Sequence, residues 1–152
     1  MSIVTPAVQT GHVGLNVSNV ERSAQFYRSV FGFSVAKESY EQGRRFVHLG
    51  DGQRLVLTLW EQSEGRFEKH RPGLHHLSFQ VSNIDEVRVF EERLHTLDVH
   101  FLYDGVVSHS EGADSGGIFF EDPDGIRLEI YSPSGASGQP APSGEHSACG
   151  FF

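Results

Sequence analysis

The chain has 152 residues, 38% hydrophobic and 21% charged, enough for one well-cored globular protein or for two small modules. A formal net charge of -8 without any basic run excludes a protein that works by neutralising phosphates, on nucleic acid or on an anionic membrane surface. No apolar run approaches the roughly 20 residues of a membrane-spanning helix, and Met1 to Thr10 lacks the basic and apolar regions of a signal peptide, so a cytoplasmic location is expected.

Residues 1–9 read as a lead. From His12 the apolar side chains alternate: Val13, Leu15 and Val17 oppose His12, Gly14 and Asn16, the pattern of a half-buried strand. Ser18 or Asn19 can then cap a helix with Glu21 in its first turn. Phe26, Val30 and Phe31 recur at helical spacing, and Gly32 is a natural stop. Three strand-like runs follow, Ser34–Tyr40, Arg44–Leu49 and Arg54–Trp60.

The stretch beginning at His76 repeats this register without a gap. His76 meets His12, Val81-Ser82-Asn83 meets Val17-Ser18-Asn19, and Phe90 meets Phe26. Leu77, Phe79 and Val81 oppose His76, Ser78 and Gln80. A second helix carries Val87, Phe90 and Leu94, and strands are expected near Val99–Tyr103, Gly117–Glu121 and Arg127–Tyr131. The order is βαβββ twice, an α+β fold of two modules, 10–60 and 74–133, forming a curved mixed sheet, cup or barrel, with helices on its outer face. Residues 61–73 are a polar linker. Residues 134–152, rich in Ser, Gly, Pro and Ala, are expected to form a flexible tail that includes His146 and the single cysteine, Cys149.

The last hairpins also correspond. Asp51-Gly52 aligns with Asp124-Gly125, which places Val56 at the position of Glu129. In the second copy Ile126, Leu128 and Ile130 form the helix-facing side, while Arg127, Glu129 and Tyr131 face the other way. His12, His76 and Glu129 are therefore expected on one concave surface, with Arg54, Val56, Thr58 and Trp60 lining it. Two imidazoles and a carboxylate with open coordination positions suit a catalytic divalent metal, whereas a closed structural zinc site usually wants a cysteine.

Three segments resemble the vicinal oxygen chelate superfamily, which includes glyoxalase I, extradiol dioxygenases, fosfomycin-resistance thiol transferases, methylmalonyl-CoA epimerase and bleomycin-sequestering proteins. They are Gly11-His12-Val13-Gly14-Leu15-Asn16-Val17, Gly73-Leu74-His75-His76-Leu77-Ser78-Phe79, and Phe119-Phe120-Glu121-Asp122-Pro123-Asp124-Gly125-Ile126-Arg127-Leu128-Glu129. The resemblance implies a metal on His12, His76 and Glu129. Val56 stands where glyoxalase I is read to carry a fourth, glutamate ligand, which turns the comparison toward the dioxygenases and fosfomycin enzymes. Both usually have a tyrosine ten residues before the last glutamate; Phe119 stands there. Gly14 replaces a threonine of the fosfomycin enzymes, although Ser110-Glu111-Gly112 is similar to their potassium loop.

The remaining histidines have lesser roles. His75, adjoining His76, is expected to point to the opposite face. The direction of His48 is open. His109, in the loop before the final hairpin, is a candidate general base because its ordinary pKa lies near neutrality. Two functions follow. One is an enzyme with Fe2+ favoured over Mn2+, Ni2+ or Zn2+, performing dioxygenase-like chemistry ahead of lyase, isomerase or thiol-transfer chemistry on a small oxygen-rich substrate. The other is a drug- or natural-product-binding protein whose cup is lined by Trp60, Phe119, Tyr131 and Arg54. A homodimer is expected, with sites inside one chain or shared between two.

Overall fold

A computed structural model of the protein describes residues 4–145; His146, Cys149, Phe151 and Phe152 lie outside them. The chain divides into two compact units, Met1–Glu64 and Gly65–Phe152. The division falls inside the stretch expected to be a linker. No helix among the described residues is long and apolar enough to cross a membrane.

The first unit runs β1 (Val13–Val17), α1 (Val20–Phe31), β2 (Ser34–Glu41), β3 (Arg44–Gly50) and β4 (Leu55–Glu61), with sheet order β1-β4-β3-β2. β1 pairs parallel with β4, and the other pairs are antiparallel. The Asn19 side chain accepts from the Arg22 amide at 3.0 Å and starts α1; Gly32, at φ 72°, ends it, a conformation that side chains with a Cβ resist. Val20, Ala24, Tyr27 and Val30 recur at helical spacing and are buried with Leu15, Val17, Val47, Leu49, Leu57 and Leu59 of the sheet.

The second unit repeats the order as β5 (Leu77–Gln80), α2 (Ile84–Thr96), β6 (Val107–Ser108), β7 (Gly116–Glu121) and β8 (Arg127–Ser132), with sheet order β5-β8-β7-β6. Asn83 caps α2 through the Glu86 amide at 3.0 Å. Val87 and Leu94 are buried with Ile118, Phe120, Leu128 and Ile130. Among the described residues the fold is therefore α+β, with one four-stranded mixed sheet and one helix in each unit, as the repeat predicts.

Three details depart from the sequence reading. The strand expected at Val99–Tyr103 is broken. Phe101 makes an isolated bridge with Phe120, and regular pairing resumes only at β6, after the turn containing Gly105 at φ 77°. The segment after Pro133 does not leave the fold at once. Ala136 is fully buried, its amide bonds the Asp114 carbonyl at 2.8 Å, and the Pro140 and Gly144 carbonyls accept from Ser108 and Glu111 at 2.8 and 2.7 Å. The correspondence of the last strands also differs. Gly14 pairs with Thr58 in β4, and Ser78 pairs with Glu129 in β8, so the counterpart of Glu129 is Thr58 and not Val56. The turn chemistry explains the two-residue slip. Asp51 plays the part of Asp122, with which the sequence register does not align it. Its carboxylate accepts the Gln53 and Arg54 amides, as that of Asp122 accepts those of Asp124 and Ile126.

Candidate functional site

In the second unit β8 lies between β5 and β7, so Glu129 has Ser78 opposite it on one side and Phe119 on the other. Directly opposed residues share a face, and this face carries the chemistry. Glu129 is only 2% exposed. The Ser78 hydroxyl donates to its Oε1 at 3.0 Å, and His109 Nε2 lies 3.4 Å from the same oxygen without hydrogen-bond geometry. His76 Nε2 stands 4.0 Å from Oε2. Among the described residues neither Glu129 Oε2 nor His109 Nε2 has a hydrogen-bond partner, although both atoms are buried.

A buried carboxylate oxygen without a donor is costly, and native structures rarely leave one so. The polar groups around it are held from behind. His109 Nδ1 meets the Ser115 hydroxyl at 2.9 Å, and its ring packs against Phe119 and Tyr131 at 6.1 and 5.3 Å between centroids. The Tyr131 hydroxyl donates to Gln80 Oε1 at 2.8 Å. Burial holds the His76 pKa below its ordinary value, only partly countered by the Glu129 charge. At neutral pH His76 is thus a neutral imidazole, and its approach to Glu129 is not an ion pair. The neutral His76 imidazole, the nearby His109 ring and a buried carboxylate with one unsatisfied oxygen form a donor set suited to a divalent cation. Among the described residues, however, no group of three or more His, Cys, Asp or Glu side chains is gathered as a ligand cluster.

The first unit presents a matching face. Gly14 and His48 both pair with Thr58, and Asn16 and Phe46 both pair with Trp60. The Phe46, His48 and Trp60 rings lie 4.8 to 5.4 Å apart. Trp60 Nε1 donates to Thr58 Oγ1 at 3.0 Å. The His48 pKa is lowered by burial first, then by Lys37 and His12. His12 is exposed and sits one residue before β1. Arg54 is exposed in the turn before β4, one residue short of the strand that the sequence pattern has it open. A groove of about 680 Å³ between α1 and β2, lined by Glu21, Arg28, Phe33 and Tyr40 among others, contains none of the candidate residues.

Within the second unit, then, His76, His109, Phe119, Glu129 and Tyr131 come together; within the first, Thr58 and Trp60 do. Sequence reasoning does not single out Ser78, Ser115 or Phe46, and leaves the direction of His48 open. A signal exists for two of them. Ser78 shares the alternation of His76, and His48, opposite Thr58, takes the place that Phe119 takes opposite Glu129.

The chain is 28% identical over 135 residues to catechol-2,3-dioxygenase of Bacillus subtilis (strain 168), an alignment covering 87% of this chain but only 44% of that protein's length. It is 28% identical over 120 residues to a trivalent organoarsenical cleaving enzyme of Bacillus sp. (strain MD1), covering 79% and 70% of the two chains. The crystal structure of a glyoxylase/bleomycin resistance protein/dioxygenase domain from Frankia sp. EAN1pec superposes with a TM-score of 0.71 at 25% identity, covering 84% of this chain and 98% of that one. The model of the Glyoxalase/Bleomycin resistance protein/Dioxygenase superfamily matches residues 9–130, both βαβββ repeats, and the chain belongs to that superfamily.

Proposed function

We propose that the protein is a metal-dependent enzyme of this superfamily, with His12, His76 and Glu129 holding a divalent cation, Fe2+ before Mn2+, Ni2+ or Zn2+. The observation that carries the reading is the buried Glu129 carboxylate, whose Oε2 has no donor among the described residues while imidazole nitrogens stand at 3.4 and 4.0 Å from its two oxygens. The cation would supply Lewis acidity to the oxygens of a small chelating substrate. Ser78 orients the carboxylate, and Phe119 walls its buried side. His109 is positioned by Ser115 to accept a proton at Nε2. A dioxygenase-like reaction is favoured by the two-histidine, one-carboxylate set and by the relative named as a catechol dioxygenase. Phe119 supplies no phenol to hydrogen-bond a reacting oxygen, which sets this site apart from the usual ring-cleaving pattern.

Elemental analysis of protein purified without chelators tests the reading. About one ion per chain is expected, lost in Glu129→Gln and His76→Ala. A metal content near zero, unrestored by any divalent ion, would overturn it. A second reading, sequestration of a flat drug or natural product, is favoured by the Phe46–His48–Trp60 ring cluster, in which Trp60 is 36% exposed. Trp60 is the only tryptophan, so its fluorescence reports on that face. Tight quenching by bleomycin that survives His76→Ala would favour sequestration; the enzyme reading expects none.

A further inference from the structure

Neighbours on a strand alternate, which would turn His75 away from His76. The strand begins only at Leu77, so alternation does not govern the pair. The two rings meet edge to face, 5.0 Å between centroids at 77°, and their Nδ1 atoms lie 2.8 Å apart. The main chain there is anchored: Arg127, 8% exposed, donates its Nε–H to the His75 carbonyl at 2.9 Å.

A bond between two imidazole nitrogens needs one proton and one lone pair. If His76 Nδ1 carries the proton, its Nε2, the atom 4.0 Å from Glu129 Oε2, keeps a lone pair available to a cation. His75 then accepts at Nδ1 and carries its own proton on Nε2, the form a free histidine side chain prefers. In that arrangement the pairing holds His76 in its less common tautomer while leaving exposed His75 in its common one.

We infer that His75 is a positioning residue for His76: its Nδ1 accepts the His76 Nδ1 proton and so keeps the Nε2 lone pair aimed toward Glu129. The purpose of that tautomer rests on the metal reading above, but the pairing itself does not.

Two variants separate the effects. His75→Phe keeps a ring and removes the acceptor; His75→Asn restores an acceptor near the Nδ1 position. Nitrogen-15 NMR of the metal-free protein at about pH 8, above the ordinary histidine pKa, reads the His76 tautomer directly. The Nδ1–H form is expected in the wild type and in His75→Asn, with a shift toward Nε2–H in His75→Phe. Titration with Zn2+ alone, against a chromophoric chelator, is expected to show affinity about 10- to 100-fold weaker in His75→Phe and near wild type in His75→Asn. An unchanged tautomer in His75→Phe, or unchanged Zn2+ affinity in that variant when the wild type binds Zn2+, would overturn the inference. If the wild type binds no metal, the metal reading fails, and the NMR still decides whether His75 sets the tautomer.

Discussion

Glu61 ties the last strand of the first unit to the start of its helix. Its Oε2 accepts from the Val20 amide at 2.8 Å, one of the donors a helix N-terminus leaves unsatisfied, and its Oε1 accepts from Arg45 Nε at 3.0 Å. The Val20 amide is the main cause, and Arg45 a lesser one, of a carboxyl pKa held below its ordinary 4.5. The resulting stability is complete above that ordinary value and is lost as the pH falls through the lower, folded value. Glu61→Gln keeps an acceptor but loses the charge. It is expected to cost about 1 kcal/mol at neutral pH and to flatten the acid limb between about pH 6 and pH 3, measured by urea unfolding; parallel wild-type and variant curves would contradict the assignment. Forty-one residues separate Glu61 from Val20, so no local pattern discloses the contact. The caps Asn19 and Asn83 and the stop at Gly32 are legible because each acts within a few residues of itself. Glu129 is legible through strand alternation. Its counterpart is not, because the two Asp-Gly pairs that look alike, Asp51-Gly52 and Asp124-Gly125, sit at different distances from the paired positions Thr58 and Glu129, whereas the aspartates that act alike are Asp51 and Asp122.

Ser108–Ser115 is the element that carries His109, and the chain after Pro133 laces it down. Ser108 and Glu111 donate their amides to Pro140 and Gly144, and Asp114 receives the Ala136 amide on its carbonyl and the Gly135 amide on its carboxylate at 3.0 Å. The Ser108 hydroxyl closes the loop from within, donating to the Ser110 and Ala113 carbonyls at 2.7 and 2.8 Å. A Cβ on Gly116 would collide with the Val107 carbonyl of β6 and with Ala136, so a glycine there lets both β6 and the returning chain seat against β7. Truncation after Pro133 is expected to lower the melting temperature and to speed amide exchange across 108–115, at Ser108 and Glu111 above all; exchange unchanged at those amides would show that the contacts carry no stability. Composition points the other way, since Ser, Gly, Pro and Ala without periodicity read as a free tail. These contacts are mostly made by backbone groups, which composition does not encode. The broken strand between His100 and Ser108 is hidden for a related reason. Phe101, Leu102 and Tyr103 form an apolar run that reads as strand, but the pairing there is a single bridge from Phe101 to Phe120 and resumes only beyond the turn at Gly105.

Each sheet leaves two edges, β1 and β2 in the first unit and β5 and β6 in the second, and an unpaired edge is a liability that proteins cover or blunt. β6 is only two residues long, which blunts it, and β2 spreads Lys37, Glu38 and Glu41 along its length. β1 and β5 carry no charged residue, so they are the edges most in need of cover. We expect a symmetric homodimer, the commonest closed assembly, with light scattering at micromolar concentration giving twice the chain mass; a monomer there would refute it. A net charge of -8 per chain opposes self-association, so the dimer is expected to tighten as salt screens that repulsion. Mixing His12→Ala chains with Glu129→Ala chains then asks whether the proposed ligand set is drawn from one chain or two. If His12 comes from one chain and His76 with Glu129 from the other, the mixed dimer carries one intact set and regains part of the metal. If each chain supplies its own set, every set in the mixture lacks one ligand and none is regained.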